Sequence, residues 1–133
     1  MPATEPLHIG DQNDVVRIRH AVRAATIELG FSVVDQTKIV TAASELARNT
    51  LVHGHGGHCV IEVLQHDGRT GLKLSFQDQG PGIPDIQLAL KDGYTSGGGM
   101  GLGLGGAKRL MNEFEIVSSP GQGTRVSVIR WKP

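Results

Sequence analysis

The sequence is poor in cysteine, carries no excess charge of either sign, and contains no long apolar run. Cys59 is the only cysteine in 133 residues, so no disulfide framework can be drawn. Within the run Cys59-Val60-Ile61 it reads as a small hydrophobe in a reducing compartment rather than a nucleophile. The missing secretory or membrane-length apolar stretch predicts a cytoplasmic protein with no membrane association. The 13 Lys and Arg residues balance 13 Asp and Glu residues, and neither sign forms a long block. That excludes general nucleic-acid binding and leaves a small molecule or another protein as the partner.

Glycine is what the sequence has in excess, with 19 residues against an average usage of about 7%. The glycines concentrate at 54–57, 80–82, 97–106 and 121–123. Seven of the ten residues from Gly97 to Gly106 are glycine, and the run leads into the helix-like Ala107-Lys108-Arg109-Leu110-Met111. Glycine weakens any regular element, so such a cluster needs a function. Main chain without Cβ can approach an anion closely, and helix-start N–H groups carry partial positive charge toward it. A phosphate site is the resulting expectation.

The length predicts one domain over residues 1–133, with 1–6 flexible. Leu7-His8-Ile9 reads as a short edge strand. Val15, Ile18, Val22, Ala25 and Leu29 follow helical spacing, with Gly30 as the stop. Ser32 is the N-cap candidate for a second helix carrying Ile39, Ala42, Ala43, Leu46 and Thr50. Strands are expected near 58–65 and 72–78 around the turn His66-Asp67-Gly68. A short helix after Pro84 follows, then a loop at 92–99, a helix from about Leu102 to Glu113, and strands at 114–118 and 124–131. These elements predict an α+β, two-layer α/β sandwich: a mixed, mainly antiparallel sheet with helices on one face.

Three polar placements need explanation. Asp78 shares strand parity with Leu72, Leu74 and Phe76, so it either aims a carboxylate inward or caps the turn Gln79-Gly80-Pro81-Gly82. Glu45 and Asn49, four apart on the second helix, share one side next to the apolar stripe. A carboxylate that can take a proton and an amide oxygen that can hold a hard cation would serve phosphoryl transfer, although the same pair often forms a solvated flank. His53, His55 and His58 lie in a glycine loop with no completing ligand, so no metal is expected there.

The segment Gly101-Leu102-Gly103-Leu104-Gly105-Gly106 matches a dinucleotide fingerprint in letters only. A Ser/Gly loop precedes it where a strand is required, and no acidic residue answers it about 20 positions later. A P-loop fails because Ala107 stands at the lysine position, and the protein-kinase catalytic-loop and DFG-type sequences are absent.

Four motifs in order account for the unusual features together: Glu45-Leu46-Ala47-Arg48-Asn49, Asp78-Gln79-Gly80-Pro81-Gly82, Gly99-Met100-Gly101-Leu102-Gly103-Leu104 and Gly121-Gln122-Gly123-Thr124. They resemble the N-box and the successive glycine boxes of the GHKL (Bergerat-fold) ATPase and kinase superfamily, over residues 10–131. Ser44 to Asn49, Asp78 to Ile86 and Lys108 to Met111, with the total length, are similar to the serine/threonine switch kinases of the bacterial stressosome, relatives of anti-sigma-factor kinases. The resemblance implies ATP and Mg²⁺ as cofactors. Asp78 would accept the adenine amino group with Thr124 near the same base, Asn49 would hold Mg²⁺, and Glu45 would act as general base or orient the substrate hydroxyl. Gly80 and Gly82 would border the nucleotide, and Gly99, Gly101 and Gly103 would embrace the phosphates. The lid from Ile83 to Gly98 would be short. The implied partners are STAS-domain proteins, as substrates and sequestering scaffold, and a PP2C-type phosphatase. The alternative is an anti-sigma-type protein that sequesters a sigma factor with nucleotide as a conformational ligand.

Overall fold

The computed structural model describes residues 4–83, 90 and 103–133. After the short strand β1 (Leu7–Ile9), Asp11 caps helix α1 (Gln12–Glu28) by accepting the Asp14 N–H at 3.0 Å. Gly30, at φ 81°, ends that helix in the left-handed conformation, and the Phe31 N–H returns to the Thr26 carbonyl. Ser32 then caps α2 (Val33–Val52) through the Asp35 N–H at 3.1 Å, as its place before the apolar stripe predicts.

The long hairpin of β2 (Gly57–His66) and β3 (Arg69–Asp78) turns at Asp67 and Gly68, both with positive φ, the geometry of a two-residue hairpin. Helix α3 (Gly103–Leu110) precedes β4 (Glu113–Ser118) and β5 (Thr124–Trp131). The sheet runs β1-β2-β3-β5-β4, and every pairing among the described residues is antiparallel. Helix α3 ends three residues before the sequence expectation. Asn112 already donates its N–H to the Ile129 carbonyl, and Glu113 pairs with Ile129, so sheet hydrogen bonds take over from helical ones. The expected short helix after Pro84 and the loop at 92–99 lie outside the described residues.

Register explains the layering. Cys59 faces Phe76, Ile61 faces Leu74, and Leu74 and Phe76 face Val128 and Val126, so one side of the sheet is a continuous apolar surface. These residues are buried with Ile18, Val22, Ile39 and Leu46 of the helices, each large side chain worth about 1.5–3 kcal/mol on burial. Burial pushes the Cys59 thiol up to about 12, which leaves it a core hydrophobe. The opposite side carries Glu62 opposite Lys73 and Ser75 opposite Ser127. Helix α2 lies on β1, β2 and β3, with α1 and α3 packed on it. Among the described residues no helix is long and apolar enough to cross a membrane.

Helices α2 and α3 pack on each other, and both bury small residues. Ala42, Ala43 and Ala47 are fully buried on α2, and Gly105, Gly106 and Ala107 are buried on α3. Such residues let two helix backbones approach closely. The glycine-rich start of α3 is therefore held against the helix that carries Glu45 and Asn49.

Candidate functional site

Asp78, the last residue of β3, is 5% exposed. A carboxylate this deep needs partners. Its Oδ1 accepts the Gly80 N–H at 2.9 Å and the Thr124 N–H at 3.1 Å. The first bond closes the turn after the strand, and the second joins β3 to the start of β5. Both sequence expectations for Asp78 therefore hold at once: it is turned inward and it caps its turn. Both bonds fall on Oδ1, which leaves Oδ2, among the described residues, as an acceptor for a ligand.

Main chain surrounds this carboxylate. A Cβ on Gly54 would stand 2.3 Å from Asp78 Cγ and Oδ2, and one on Gly80 would stand 2.8 Å from Gly54 Cα. Gly82, at φ 83°, would place a Cβ 2.3 Å from the Ser119 carbonyl oxygen, and Gly123, at φ 81°, would place one 2.2 Å from the Asp78 carbonyl oxygen. At Gly80, Gly82 and Gly123 backbone is too close for any side chain, at Gly54 the Asp78 side chain is, and at Gly82 and Gly123 the conformation also favours glycine. The Gly121 N–H donates to the Pro81 carbonyl at 2.8 Å and fastens the β4–β5 turn to the loop after Asp78.

Helix α2 runs into the same cradle. Asn49 and Glu45 are half-buried on its C-terminal half, beside the buried Leu46 and Thr50. The Asn49 carbonyl accepts the His53 N–H at 2.9 Å, and the next residue is Gly54, packed on Asp78. The structure thus gathers Asp78, Gly80, Gly82 and Thr124 at one end of the sheet, with the helix bearing Glu45 and Asn49 leading to it. Gly103 opens α3 on the neighbouring helix, whereas Gly99 and Gly101 lie outside the described residues.

The sequence pattern missed two contributors. Gly54 was marked only by its glycine cluster and reads there as loop. Ser118 gave no signal, because it looks like one more alternating strand residue. Its Oγ accepts the Ile83 N–H at 2.7 Å and lies 2.8 Å from Thr124 Oγ1.

The residues present fit a nucleotide with a magnesium ion. Close-packed glycines beside Asp78 leave room for a planar base to approach, and an Asp78 Oδ2 that accepts no hydrogen bond among the described residues suits an amino group on its edge. Magnesium keeps several waters and binds through phosphates with one or two protein oxygens, a demand the Asn49 amide oxygen can meet.

The chain belongs to the family of histidine kinase-, DNA gyrase B- and HSP90-like ATPases, whose model matches residues 34–133. It is 48% identical over 118 residues to the serine/threonine-protein kinase RsbT of Bacillus subtilis (strain 168), a match covering 89% of each chain. On this likeness it is a protein kinase of the serine/threonine type that uses ATP. It is also 31% identical over 121 residues to the anti-sigma F factor of Pasteuria penetrans, covering 84% of this chain and 79% of the relative. Among solved structures, the RsbU and RsbW domains of a Mycobacterium tuberculosis protein match with a TM-score of 0.62 and 26% identity, over 98% of this chain and 34% of that one. The mycobacterial sensor histidine kinase MprB, at 19% identity and a TM-score of 0.58, shares the fold.

Proposed function

We propose that this chain is the Mg-ATP-dependent kinase of a stressosome-type switch: it phosphorylates serine or threonine on STAS-domain proteins, is held by that scaffold, and when released activates a PP2C-type phosphatase. The observation that carries the reading is Asp78, a buried carboxylate whose Oδ1 is fixed by two N–H groups and whose Oδ2, packed on Gly54, accepts no hydrogen bond among the described residues. The likeness to a serine/threonine kinase over most of the chain supports the choice of acceptor.

In this reading Asp78 Oδ2 accepts the amino group of adenine, and Thr124 lies beside the same base. Gly80 and Gly82 would border the nucleotide, and Gly99, Gly101 and Gly103 would embrace the phosphates with their main-chain N–H groups. Mg-ATP supplies the transferable phosphoryl group and the cation that offsets its charge. Asn49 would hold that cation through its amide oxygen. Glu45, one helical turn earlier on the same side, would take the proton of the acceptor hydroxyl. The protein's contribution is chiefly positioning and electrostatics.

The likeness to anti-sigma F factors favours a second reading, in which the chain sequesters a sigma factor and nucleotide serves as a conformational ligand. Transfer of label from γ-labelled ATP to purified STAS-domain proteins separates the two. Label on a serine or threonine, lost in Glu45→Gln, supports the kinase reading. Co-purification of a sigma factor without phosphotransfer to any STAS protein supports the second.

A further inference from the structure

The sheet has a second face, turned away from the helices and from the Asp78 cradle. Gln77, Val117 and Arg125 alternate along their strands with the inward-turned Asp78, Ser118 and Thr124, so their side chains stand on that outer face. Register sets the three in one row across β3, β5 and β4, with Arg125 in the middle. Where the row meets the β4–β5 turn, these residues line a cavity of about 270 Å³ together with Ser119 and Gln122.

The polar side chains around this cavity have no work inside the protein. Among the described residues, Arg125, Gln77, Gln122 and Ser119 make no side-chain hydrogen bond or ion pair. Glu115 is the diagonal neighbour of Arg125 on β4, close enough for long side chains to meet, yet the two form no ion pair. The next row inward bonds to itself, with Ser75 and Ser127 hydroxyls 3.3 Å apart, and so marks the limit of the site.

One guanidinium, two amides and one hydroxyl, all able to donate, therefore converge where no carboxylate lines the wall among the described residues. Their complement is an anion. The volume falls below the roughly 300–1,000 Å³ of small-molecule pockets, which suits one side chain better than a cofactor. A single cation matches the single charge of a carboxylate, whereas a phosphate monoester brings about −1.5 to −2 and would be left partly uncompensated. The carboxylate also fits the guanidinium fork through two parallel bonds. Val117, 51% exposed, borders the same cavity and offers an apolar contact beside the charge.

We infer that this cavity is a docking subsite for an acidic side chain of a protein partner, an aspartate or glutamate with an apolar residue next to it. Arg125 pairs with the carboxylate, Gln77, Gln122 and Ser119 complete its hydrogen bonds, and Val117 packs on the apolar neighbour. The subsite and the Asp78 cradle lie on opposite sides of the β4–β5 turn, whose Gly123 and Thr124 border both.

Nuclear magnetic resonance titration of the full chain at fixed ionic strength tests the inference, followed at the Arg125 Nε–H and the Gln77 and Gln122 side-chain amides. The probes are the blocked dipeptide Ac-Val-Glu-NH2, its neutral counterpart Ac-Val-Gln-NH2, propionate and inorganic phosphate. Ac-Val-Glu-NH2 is expected to shift these signals saturably and to bind about tenfold tighter than Ac-Val-Gln-NH2, the worth of one hydrogen bond to a charged group. It should also bind about tenfold tighter than propionate, the worth of covering one apolar side chain. Arg125→Gln should erase the difference between the two dipeptides, and Val117→Thr should bring Ac-Val-Glu-NH2 down toward propionate. Both variants should keep the ADP affinity of the wild type, so either result is separable from the nucleotide reading. No saturable shift, or an equal response to the two dipeptides, overturns the inference. Propionate binding as tightly as Ac-Val-Glu-NH2 would mark a site for a free carboxylate and overturn the protein partner, and tighter binding of phosphate would overturn the choice of carboxylate.

Discussion

Arg130 and Asp35, 95 residues apart, meet in a half-closed interior where Arg130 Nη2 donates to Asp35 Oδ1 at 2.8 Å. The other terminal nitrogen, Nη1, donates to the carbonyl of Leu110, the last residue of α3, at 3.0 Å. One guanidinium on β5 thereby holds the first turn of α2 and the end of α3. Its Nε is buried and has no hydrogen-bond partner among the described residues.

Removing one partner of this pair strands the other charge. Asp35→Ala and Arg130→Met are each expected to lower unfolding stability by about 3 kcal/mol, measured by chemical denaturation. Replacing both with apolar residues, as in Asp35→Leu with Arg130→Met, should cost less than the sum of the single changes. Additive losses would show that the ion pair is not the source of the effect.

Glu45 and Asn49 predict separable kinetic defects. Glu45→Gln should reduce phosphotransfer by about 10²- to 10⁴-fold while ADP binding stays near that of the wild type. Asn49→Ala should instead raise the magnesium concentration needed for half-maximal rate. Equal magnesium dependence in Asn49→Ala and wild type would remove Asn49 from the metal site.

Gly54→Ala should abolish nucleotide binding in a folded protein. The new Cβ would stand 2.3 Å from Asp78 Cγ, with Asp78 Cβ equally crowded at 2.4 Å, so the clash reaches the base of the side chain and not just its tip. Circular dichroism like that of the wild type, with no ADP heat in calorimetry, is the expected result. Normal ADP affinity would mean that the Asp78 carboxylate is not the base contact.

Asp14 predicts an acid-dependent loss of stability. The Gly10 N–H bonded to its Oδ2 at 2.8 Å is the main cause that holds its carboxyl below the usual value; the Arg17 guanidinium, the Asp11 backbone and His8 add to this, and burial opposes it. A carboxylate whose pKa is depressed by folding stabilises the protein above its unfolded value, and that contribution disappears as pH falls through the lowered folded value. Asp14→Asn should therefore be less stable than the wild type at neutral pH. The two should converge at the acid end, where the carboxyl is protonated in both states. Parallel pH curves in denaturation would exclude Asp14 as the source.

The sequence spoke most clearly where signals were local. Helical spacing and the caps Ser32 and Gly30 marked α1 and α2, and the parity of Asp78 with Leu72, Leu74 and Phe76 marked an inward carboxylate. The end of α3 was overextended, because its boundary is set by the pairing of Glu113 with Ile129 and not by residues within the helix. The contacts of Ser118 with Ile83 and of Asp35 with Arg130 join distant segments, and nothing in the spacing of serines or aspartates announces them. Gly54 was visible as part of a cluster, but its packing on Asp78 exists only once α2 reaches the end of β3.

The glycine walls at 54, 80, 82 and 123 also bear on how such a protein can change. A pocket shaped by side chains can drift toward another ligand one substitution at a time, since each wall is adjustable. Here the limiting surfaces are peptide groups in contact with one another or with Asp78, and every one-letter change at those positions adds bulk where there is no space. Change is therefore expected on outward-facing positions, such as the exposed Ile27, Val33 and Val34 at the α1–α2 corner, before it reaches these four glycines.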